Sequence, residues 1–176
     1  MVRKYDDTVA YQSVSGHGLK GVDFIALSPD GGLWLIEVKN FRPRISPRNG
    51  REYRAQRPLP DRLARAVAAK FEDSRRLIAI VDAWTRRRWW RRLQRWWLWR
   101  RPDPDSSYWF WGEAKRRLDG KALLNVVLWM ETPERKTGYD EAVEQRLREL
   151  IPGGSQLTVV EQDRGGELPF GIAEES

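Results

Sequence analysis

Two carboxylates and an amine stand in a pattern that could support metal-dependent chemistry. Asp23 lies in the apolar segment of residues 21–27, and Glu37 and Lys39 end the apolar segment of residues 33–39. Both segments have the composition of buried β-strands, in which side chains two residues apart point to the same face. Glu37 and Lys39 are therefore predicted to project together from one face of a sheet.

The two strands are predicted to form a hairpin that brings the carboxylates together. The intervening residues 28–32 include a proline, an aspartate and two glycines, which is typical of a turn. Pairing of Leu27 with Leu33 would place Asp23 directly opposite Glu37, with Cβ atoms roughly 5 Å apart. At that separation both carboxylates could hold one hard cation through oxygen ligands at about 2.0–2.1 Å.

Two carboxylates in a sheet that is otherwise apolar need a positive charge beside them. They would lose hydration on burial and would repel each other, so we expect a cation or a buried basic side chain near Asp23 and Glu37. The alternative is a solvated Glu37–Lys39 pair on an edge strand, which would contribute little. The flanking residues are apolar on both faces, as in a covered parallel or mixed sheet.

This pattern resembles the active-site motif of the PD-(D/E)xK nuclease superfamily, whose fold is also called restriction endonuclease-like. The residues that carry the resemblance are Asp23 in the first strand of the hairpin and Glu37-Val38-Lys39 in the second. The latter lie within residues 36–42, which have the apolar, ExK and basic sequence typical of these enzymes.

The resemblance has one departure and a limited extent. The residue before Asp23 is Val22 rather than proline, a variation that the superfamily often shows. The first half of the chain, through about residue 83, is covered best, and the strand near residues 124–130 gives looser support. The resemblance implies a divalent-metal nuclease core and no particular substrate.

The resemblance also implies a role for each residue in phosphodiester hydrolysis, with DNA as the favoured substrate. Asp23 and Glu37, with the main-chain carbonyl of Val38, would hold Mg²⁺, or Mn²⁺ as a substitute, which polarises the scissile phosphate and lowers the pKa of a bound water. Lys39 would stabilise the attacking hydroxide and the charge developing on the phosphate. Glu37→Gln is then expected to abolish cleavage and, by relieving like-charge repulsion, to leave the fold intact or more stable.

The composition favours a polyanionic partner. The 176 residues include 32 Lys and Arg against 25 Asp and Glu, a formal net charge of +7, and such an excess is typical of proteins that bind polyanions. Cysteine is absent and histidine occurs once, which excludes disulfides, thiolate metal sites and a zinc site made of histidines alone. We expect no small-molecule cofactor, and a homodimer is possible.

The length suits one domain, predicted at residues 1–161 and followed by a flexible tail at 162–176. A reducing, cytoplasmic setting is expected because cysteine is absent. The N-terminal residues lack the apolar stretch of a signal peptide, and no run approaches about 20 apolar residues, so no membrane-spanning segment is expected.

The order of the elements predicts an α/β fold, specifically a three-layer α/β/α sandwich with a mixed central sheet, as in restriction endonuclease-like proteins. After the hairpin, the sequence predicts a helix capped by Asp61 and extending through Val81, a shorter helix from Ser106 or Ser107 to about Asp119, a strand at 123–129, a helix at 139–151 and a strand at 157–160.

An arginine- and tryptophan-rich insertion is predicted to be helical at about residues 85–101. Residues 86–101 contain eight arginines, five tryptophans and no acidic residue. Three roles stay open: tryptophans packed on the protein's own core with solvated arginines, a nucleic-acid surface, and a helix on an anionic membrane surface.

Six basic residues are candidate ligands of nucleic acid. They are Lys20 before the hairpin, Arg42 and Arg44 in a basic loop predicted to be irregular through residue 57, and Arg87, Arg91 and Arg95 in the insertion. Asp6, Asp7 and His17 could take part in the site, but no pattern assigns them a role.

Two other functions are compatible with the sequence. The chain could be a non-catalytic nucleic-acid-binding or membrane-surface module that keeps the fold, or an accessory subunit that is active only with a partner. An enzyme requires Asp23, Glu37 and Lys39 to converge on one metal, in a place open to a long polyanion.

Overall fold

The fold is taken from a computed structural model, which describes residues 2–4, 19–45, 47–53, 56–86, 107–120, 123–131, 138–151, 153 and 155–161. Within these ranges the chain forms seven strands and three helices. The strands are β1 (Val2–Lys4), β2 (Phe24–Leu27), β3 (Leu33–Asn40), β4 (Arg44–Ile45), β5 (Glu52–Tyr53), β6 (Leu124–Glu131) and β7 (Ser155–Glu161), and the helices are α1 (Pro60–Arg86), α2 (Ser107–Asp119) and α3 (Tyr139–Leu150).

A five-stranded mixed sheet lies at the centre, with the strand order β1-β2-β3-β6-β7. β1, β2 and β3 are antiparallel neighbours, whereas β3, β6 and β7 run parallel. The predicted α/β class with a mixed sheet is therefore confirmed. β6 is buried along its central six residues, and such continuous burial explains why it is apolar throughout rather than alternating.

The β2–β3 hairpin has the register that the turn sequence predicts. Leu27 pairs with Leu33, and the pairing continues to the other end of β2 without a bulge. The pairing ends at Phe24 and Ile36, so Asp23 lies directly before β2 and not within the strand predicted at 21–27. Its predicted place opposite Glu37 is one residue beyond this pairing, where the N–H of Val22 bonds the Ser74 hydroxyl of α1 instead of β3. The turn between the strands has Gly31 at a φ of 93°, a conformation that favours glycine.

The main hydrophobic core lies between one face of the sheet and the three described helices. α1 contributes a stripe of buried residues at helical spacing, as its sequence predicts. The buried core residues of the helices are Leu63, Ala64, Val67, Phe71, Leu77, Ile78 and Val81 of α1, Phe110, Trp111 and Ala114 of α2, and Val143 and Leu147 of α3.

The opposite face of the sheet carries a second, smaller apolar cluster. It consists of Ala26, Ile36, Val127, Trp129 and Val160, with partly buried side chains of β2 and β3 around them. None of the described helices contributes a buried side chain to this cluster. The described residues thus show helices packed on one face of the sheet, and a third layer stays a prediction.

Besides the start of β2, three local features differ from the predictions. α1 begins at Pro60, a residue favoured in the first helical position, so Asp61 lies in the first turn and bonds Arg65 and Arg146 instead of capping the helix. The basic loop, predicted to be irregular, contains the short β4–β5 hairpin. β1 pairs with β2 at the sheet edge, and its three residues are too few to show a periodicity.

Candidate active site

The structure brings Asp23, Glu37 and Lys39 together at the end of the β2–β3 hairpin. Lys39 Nζ lies 2.6 Å from Glu37 Oε1. These side chains are two residues apart on β3 and therefore share a face of the sheet. Asp23 Oδ2 accepts a hydrogen bond of 2.7 Å from the main-chain N–H of Val38, which fixes the first carboxylate against the strand that carries the second.

Lys70 of α1 joins this cluster, and the sequence analysis missed it. Its Nζ lies 2.6 Å from Glu37 Oε1 and 3.7 Å from Asp23 Oδ1. One ammonium group therefore reaches both carboxylates, so the carboxylates lie on the same side of the sheet. Lys70 is the basic side chain that two facing carboxylates were expected to need.

A signal for Lys70 is present in the sequence. It lies three residues after Val67 and four residues before Ser74, both of which are fully buried. A lysine within the buried stripe of a helix requires a partner, since lysine is almost never buried unless it is paired. That argument identifies the lysine as unusual, although it does not identify its partners.

Glu37 is the most deeply buried side chain of the cluster. Its side chain is 0% exposed, whereas those of Asp23, Lys39 and Lys70 are 32%, 30% and 24% exposed. Glu37 Oε1 accepts from both lysines, but Oε2 is buried and has no hydrogen-bond partner. A buried carboxylate oxygen without a partner is costly, and it provides a ligand position for a hard cation.

α1 positions both sides of the cluster through Ser74. The buried Ser74 hydroxyl accepts a hydrogen bond of 2.9 Å from the N–H of Val22 and donates one of 2.8 Å to the carbonyl of Lys70. Val22 is itself fully buried in the core. The helix that carries Lys70 thus also fixes the backbone immediately before Asp23.

The donors of the site are compatible with Mg²⁺ or Mn²⁺. In a strand the N–H and C=O of one residue point to the same side, so the carbonyl of Val38 is directed toward the side on which its N–H meets Asp23. Two carboxylates and a carbonyl are hard oxygen ligands of the kind these ions prefer. Across the ranges that the structure describes, no group of three or more His, Cys, Asp and Glu side chains could hold a metal.

A second cluster of one carboxylate and two bases supports the hairpin from α2. Arg116 and Arg117 both donate to Glu113, and Arg117 Nη1 also donates to the carbonyls of Ser28 and Gly32 at 2.8 and 2.7 Å. The hydrogen bonds from Arg116 and then Arg117 hold the pKa of Glu113 below its ordinary value, although burial acts in the opposite direction. This cluster ties α2 to the turn of the hairpin.

The candidate nucleic-acid ligands are only partly described. Lys20, Arg42 and Arg44 have exposed side chains. Arg42 follows the buried Phe41 directly and lies three residues after Lys39, and Arg44 lies in β4. Arg87, Arg91 and Arg95, like Asp6, Asp7 and His17 and the tail at 162–176, lie outside the described residues.

Comparison with known proteins provides no assignment. No protein-family model matches the chain, and neither the curated proteins nor the solved structures include a significant match. The interpretation of the site therefore depends on its own residues.

A membrane-spanning helix is not found in the described part of the chain, where every helix is too short or too polar to cross a bilayer.

Proposed function

We propose that this protein is a metal-dependent nuclease of the PD-(D/E)xK type, with a restriction endonuclease-like fold, that hydrolyses phosphodiester bonds with DNA as the favoured substrate. The observation that carries the proposal is the convergence of two carboxylates on one ammonium, at 2.6 and 3.7 Å from Lys70 Nζ, with Lys39 beside them. A place between two carboxylates that accommodates an ammonium has the charge and the ligands for a divalent cation.

Asp23, Glu37 and the carbonyl of Val38 would hold Mg²⁺. Mg²⁺ keeps several waters and needs only one or two protein carboxylates, so this small donor set is sufficient. When bound, the ion would polarise the phosphate as a Lewis acid and lower the pKa of a bound water.

Lys39 supplies positive charge on the open side of the site. Its ammonium is 2.6 Å from Glu37 Oε1, and its side chain is 30% exposed, so it can reach a phosphate that approaches the carboxylates. A fixed ammonium at this position stabilises the charge that develops on the phosphate and orients the attacking hydroxide. Glu37 holds that ammonium in place.

The exposed Arg42 and Arg44 would hold the nucleic-acid backbone next to Lys39, since guanidinium groups bind phosphate through paired hydrogen bonds. The arginines of the insertion at 85–101 would also bind the nucleic-acid backbone, and its tryptophans could stack on unpaired bases or contact an anionic membrane surface. A homodimer would place two such sites on the two strands of a duplex.

A non-catalytic nucleic-acid-binding module is the second candidate function. The observation that favours it is that Lys39 and Lys70 together balance the charge of Asp23 and Glu37 without a metal. In such a module the carboxylates would serve only to fix α1 and Lys39 against the hairpin.

A cleavage assay separates the two functions. Supercoiled, linear and single-stranded DNA, and RNA, are incubated with the protein and Mg²⁺ or Mn²⁺, with EDTA as the blank. We expect cleavage that EDTA abolishes and that Asp23→Asn removes, whereas Lys115→Met, which removes a half-buried lysine of α2 paired with Asp119, leaves it unchanged. Binding of DNA without cleavage under any of these conditions would instead identify the non-catalytic module.

A further inference from the structure

We infer that Lys70 is a tethered counter-cation: its ammonium occupies the place between Asp23 and Glu37 in the metal-free protein, and a divalent cation binds there by displacing it. The inference depends on the proposed function, because it assigns to Lys70 the control of metal affinity at that site. Lys70 is then a positioning residue that determines whether the carboxylates of Asp23 and Glu37 are available to bind a metal ion.

The geometry distinguishes Lys70 from Lys39. Lys70 Nζ contacts carboxylate oxygens of two segments, at 2.6 Å from Glu37 on β3 and 3.7 Å from Asp23 directly before β2. Lys39 contacts Glu37 from the same strand at 2.6 Å. A metal ion that both carboxylates share would therefore compete with the Lys70 ammonium for them.

The charges require one ammonium to leave when a divalent ion enters. Two carboxylates and two ammonium groups sum to zero, so an added divalent ion would leave two uncompensated positive charges within a few ångströms of each other. Like charges at such distances repel strongly where water is partly excluded. Lys70 can move away because lysine carries its charge on a flexible four-carbon stem, and its side chain is 24% exposed.

The unused oxygen of Glu37 favours displacement over a permanent ion pair. Both lysines bind Oε1, while the buried Oε2 accepts no hydrogen bond. In the Glu113 cluster of α2, by contrast, both carboxylate oxygens accept from arginine. The lysines of the Glu37 cluster therefore balance the charge of the carboxylates but leave one oxygen of Glu37 free to bind a metal ion.

The test measures Mn²⁺ binding by titration calorimetry on the metal-free full chain. Lys70→Met keeps most of the aliphatic stem and removes the charge. We expect it to bind Mn²⁺ at least tenfold more tightly than the parent. Lys115→Met is the matched control, because it removes one charge from a helical lysine that is 20% exposed and paired with a single carboxylate, Asp119. Its Mn²⁺ affinity should stay within twofold of the parent.

Two further measurements keep the test decisive. Metal-free Lys70→Met should melt at a lower temperature than the parent and recover with Mn²⁺, because the ion replaces the missing ammonium. If Lys70→Met does not fold, Lys70→Gln takes its place. Lys70→Arg, which retains the charge, should bind Mn²⁺ no more tightly than the parent.

The outcomes separate this inference from the proposed function. If the parent binds Mn²⁺ and Lys70→Met and Lys70→Gln bind it equally or more weakly, the counter-cation role is wrong and the nuclease proposal stands. If the neutral variants bind Mn²⁺ more tightly but no form of the protein cleaves nucleic acid, the counter-cation role stands and the nuclease proposal is wrong. Absence of Mn²⁺ binding in the parent and in every variant would overturn both.

Discussion

Two clusters among the described residues combine one buried or nearly buried glutamate with two basic side chains, and they use the carboxylate differently. In the Glu113 cluster, Arg116 reaches both carboxylate oxygens at 2.6 and 2.7 Å, and Arg117 adds a bond of 2.8 Å. In the Glu37 cluster, Lys39 and Lys70 both bind one oxygen at 2.6 Å and leave the other without a partner.

The difference follows from the basic side chains and from where they come from. The planar fork of arginine matches a carboxylate and saturates it, and Arg116 and Arg117 lie three and four residues after Glu113 on one helix. Lysine is a point charge with no such fork, and Lys70 comes to Glu37 from a different element. We therefore interpret the Glu113 cluster, whose carboxylate oxygens both accept hydrogen bonds, as a structural contact between α2 and the hairpin. We interpret the Glu37 cluster, in which one oxygen has no partner, as a site that accepts a ligand.

Glutamine at the two glutamates should affect cleavage very differently. Glu37→Gln should lower metal-dependent cleavage at least about 100-fold, because it removes a charged ligand and the group that holds Lys39. Glu113→Gln should leave the rate of cleavage within about twofold, since Glu113 lies away from the carboxylates. Initial rates on one DNA substrate at saturating Mg²⁺ provide the measurement. Comparable losses in both variants would mean that the effect is structural.

The same two variants should differ in stability when no metal is present. We expect Glu37→Gln to lower the free energy of unfolding by about 3 kcal/mol, because breaking a buried ion pair leaves a charge uncompensated. Two ammonium groups would then face a neutral amide, whose NH₂ replaces either Oε1 or the buried Oε2. Glu113→Gln should cost about 1 kcal/mol, since Arg117 keeps its bonds to Ser28 and Gly32.

This expectation reverses the one drawn from the sequence. Two facing carboxylates taken alone would repel, and removing one would stabilise the fold, but Lys70 and Lys39 already offset that repulsion. Urea denaturation in EDTA measures the difference between the variants. Greater stability of Glu37→Gln than of the parent would show that the lysines do not compensate the charge in solution.

The sequence predicted the parts of the molecule that depend on local patterns. The turn at residues 28–32 and the two flanking apolar runs are enough to set the register of the hairpin, and hence the approach of Asp23 to Glu37. The period of the apolar residues likewise locates α1 and the buried face that it presents to the sheet. Both features depend on neighbours within a few residues.

Lys70 could not be placed from the sequence because its position depends on how α1 lies across the sheet. The pattern shows which face of the helix is buried, but not the position of the helix along its own axis relative to β3. A shift of one turn, about 5.4 Å, would move Lys70 out of contact with Glu37. The hydrogen bond from the N–H of Val22 to the Ser74 hydroxyl helps fix that position. It connects residues 52 positions apart in the sequence, which no local pattern reports.

The Glu113 cluster should contribute stability that depends on pH. The folded pKa of Glu113 is lowered, so its contribution is fully present above the pKa of the unfolded chain, about 4.3, and is lost as the pH falls through the lower folded value. The contribution should not exceed about 1 kcal/mol, because Arg116 is largely exposed and solvent screens its charge.

Urea denaturation of the parent and of Glu113→Gln from pH 7 down to pH 2.5 checks this expectation. The stability difference between the two proteins should narrow below about pH 4. A constant difference over the whole range would show that the two arginines do not lower the pKa of Glu113, and the view of this cluster as a saturated ion pair would then be wrong.

The smallest effect is expected from the arginines next to the candidate site, and it tests whether the open cluster faces a polyanion. Arg42 and Arg44 are exposed and follow Lys39 closely along the chain, so each is expected to contact one phosphate. Each contact steepens the log–log dependence of duplex DNA binding on salt by roughly 0.9. Arg42→Gln and Arg44→Gln should therefore each lower that slope by about this amount and weaken binding about equally for all sequences.

Arg116→Gln is the control, because it removes the same charge from the Glu113 cluster, and it should leave the slope unchanged. Fluorescence titrations of labelled duplex at several salt concentrations measure the slope, and an equal slope in all four proteins would show that the nucleic-acid backbone does not pass over the hairpin end that carries Lys39.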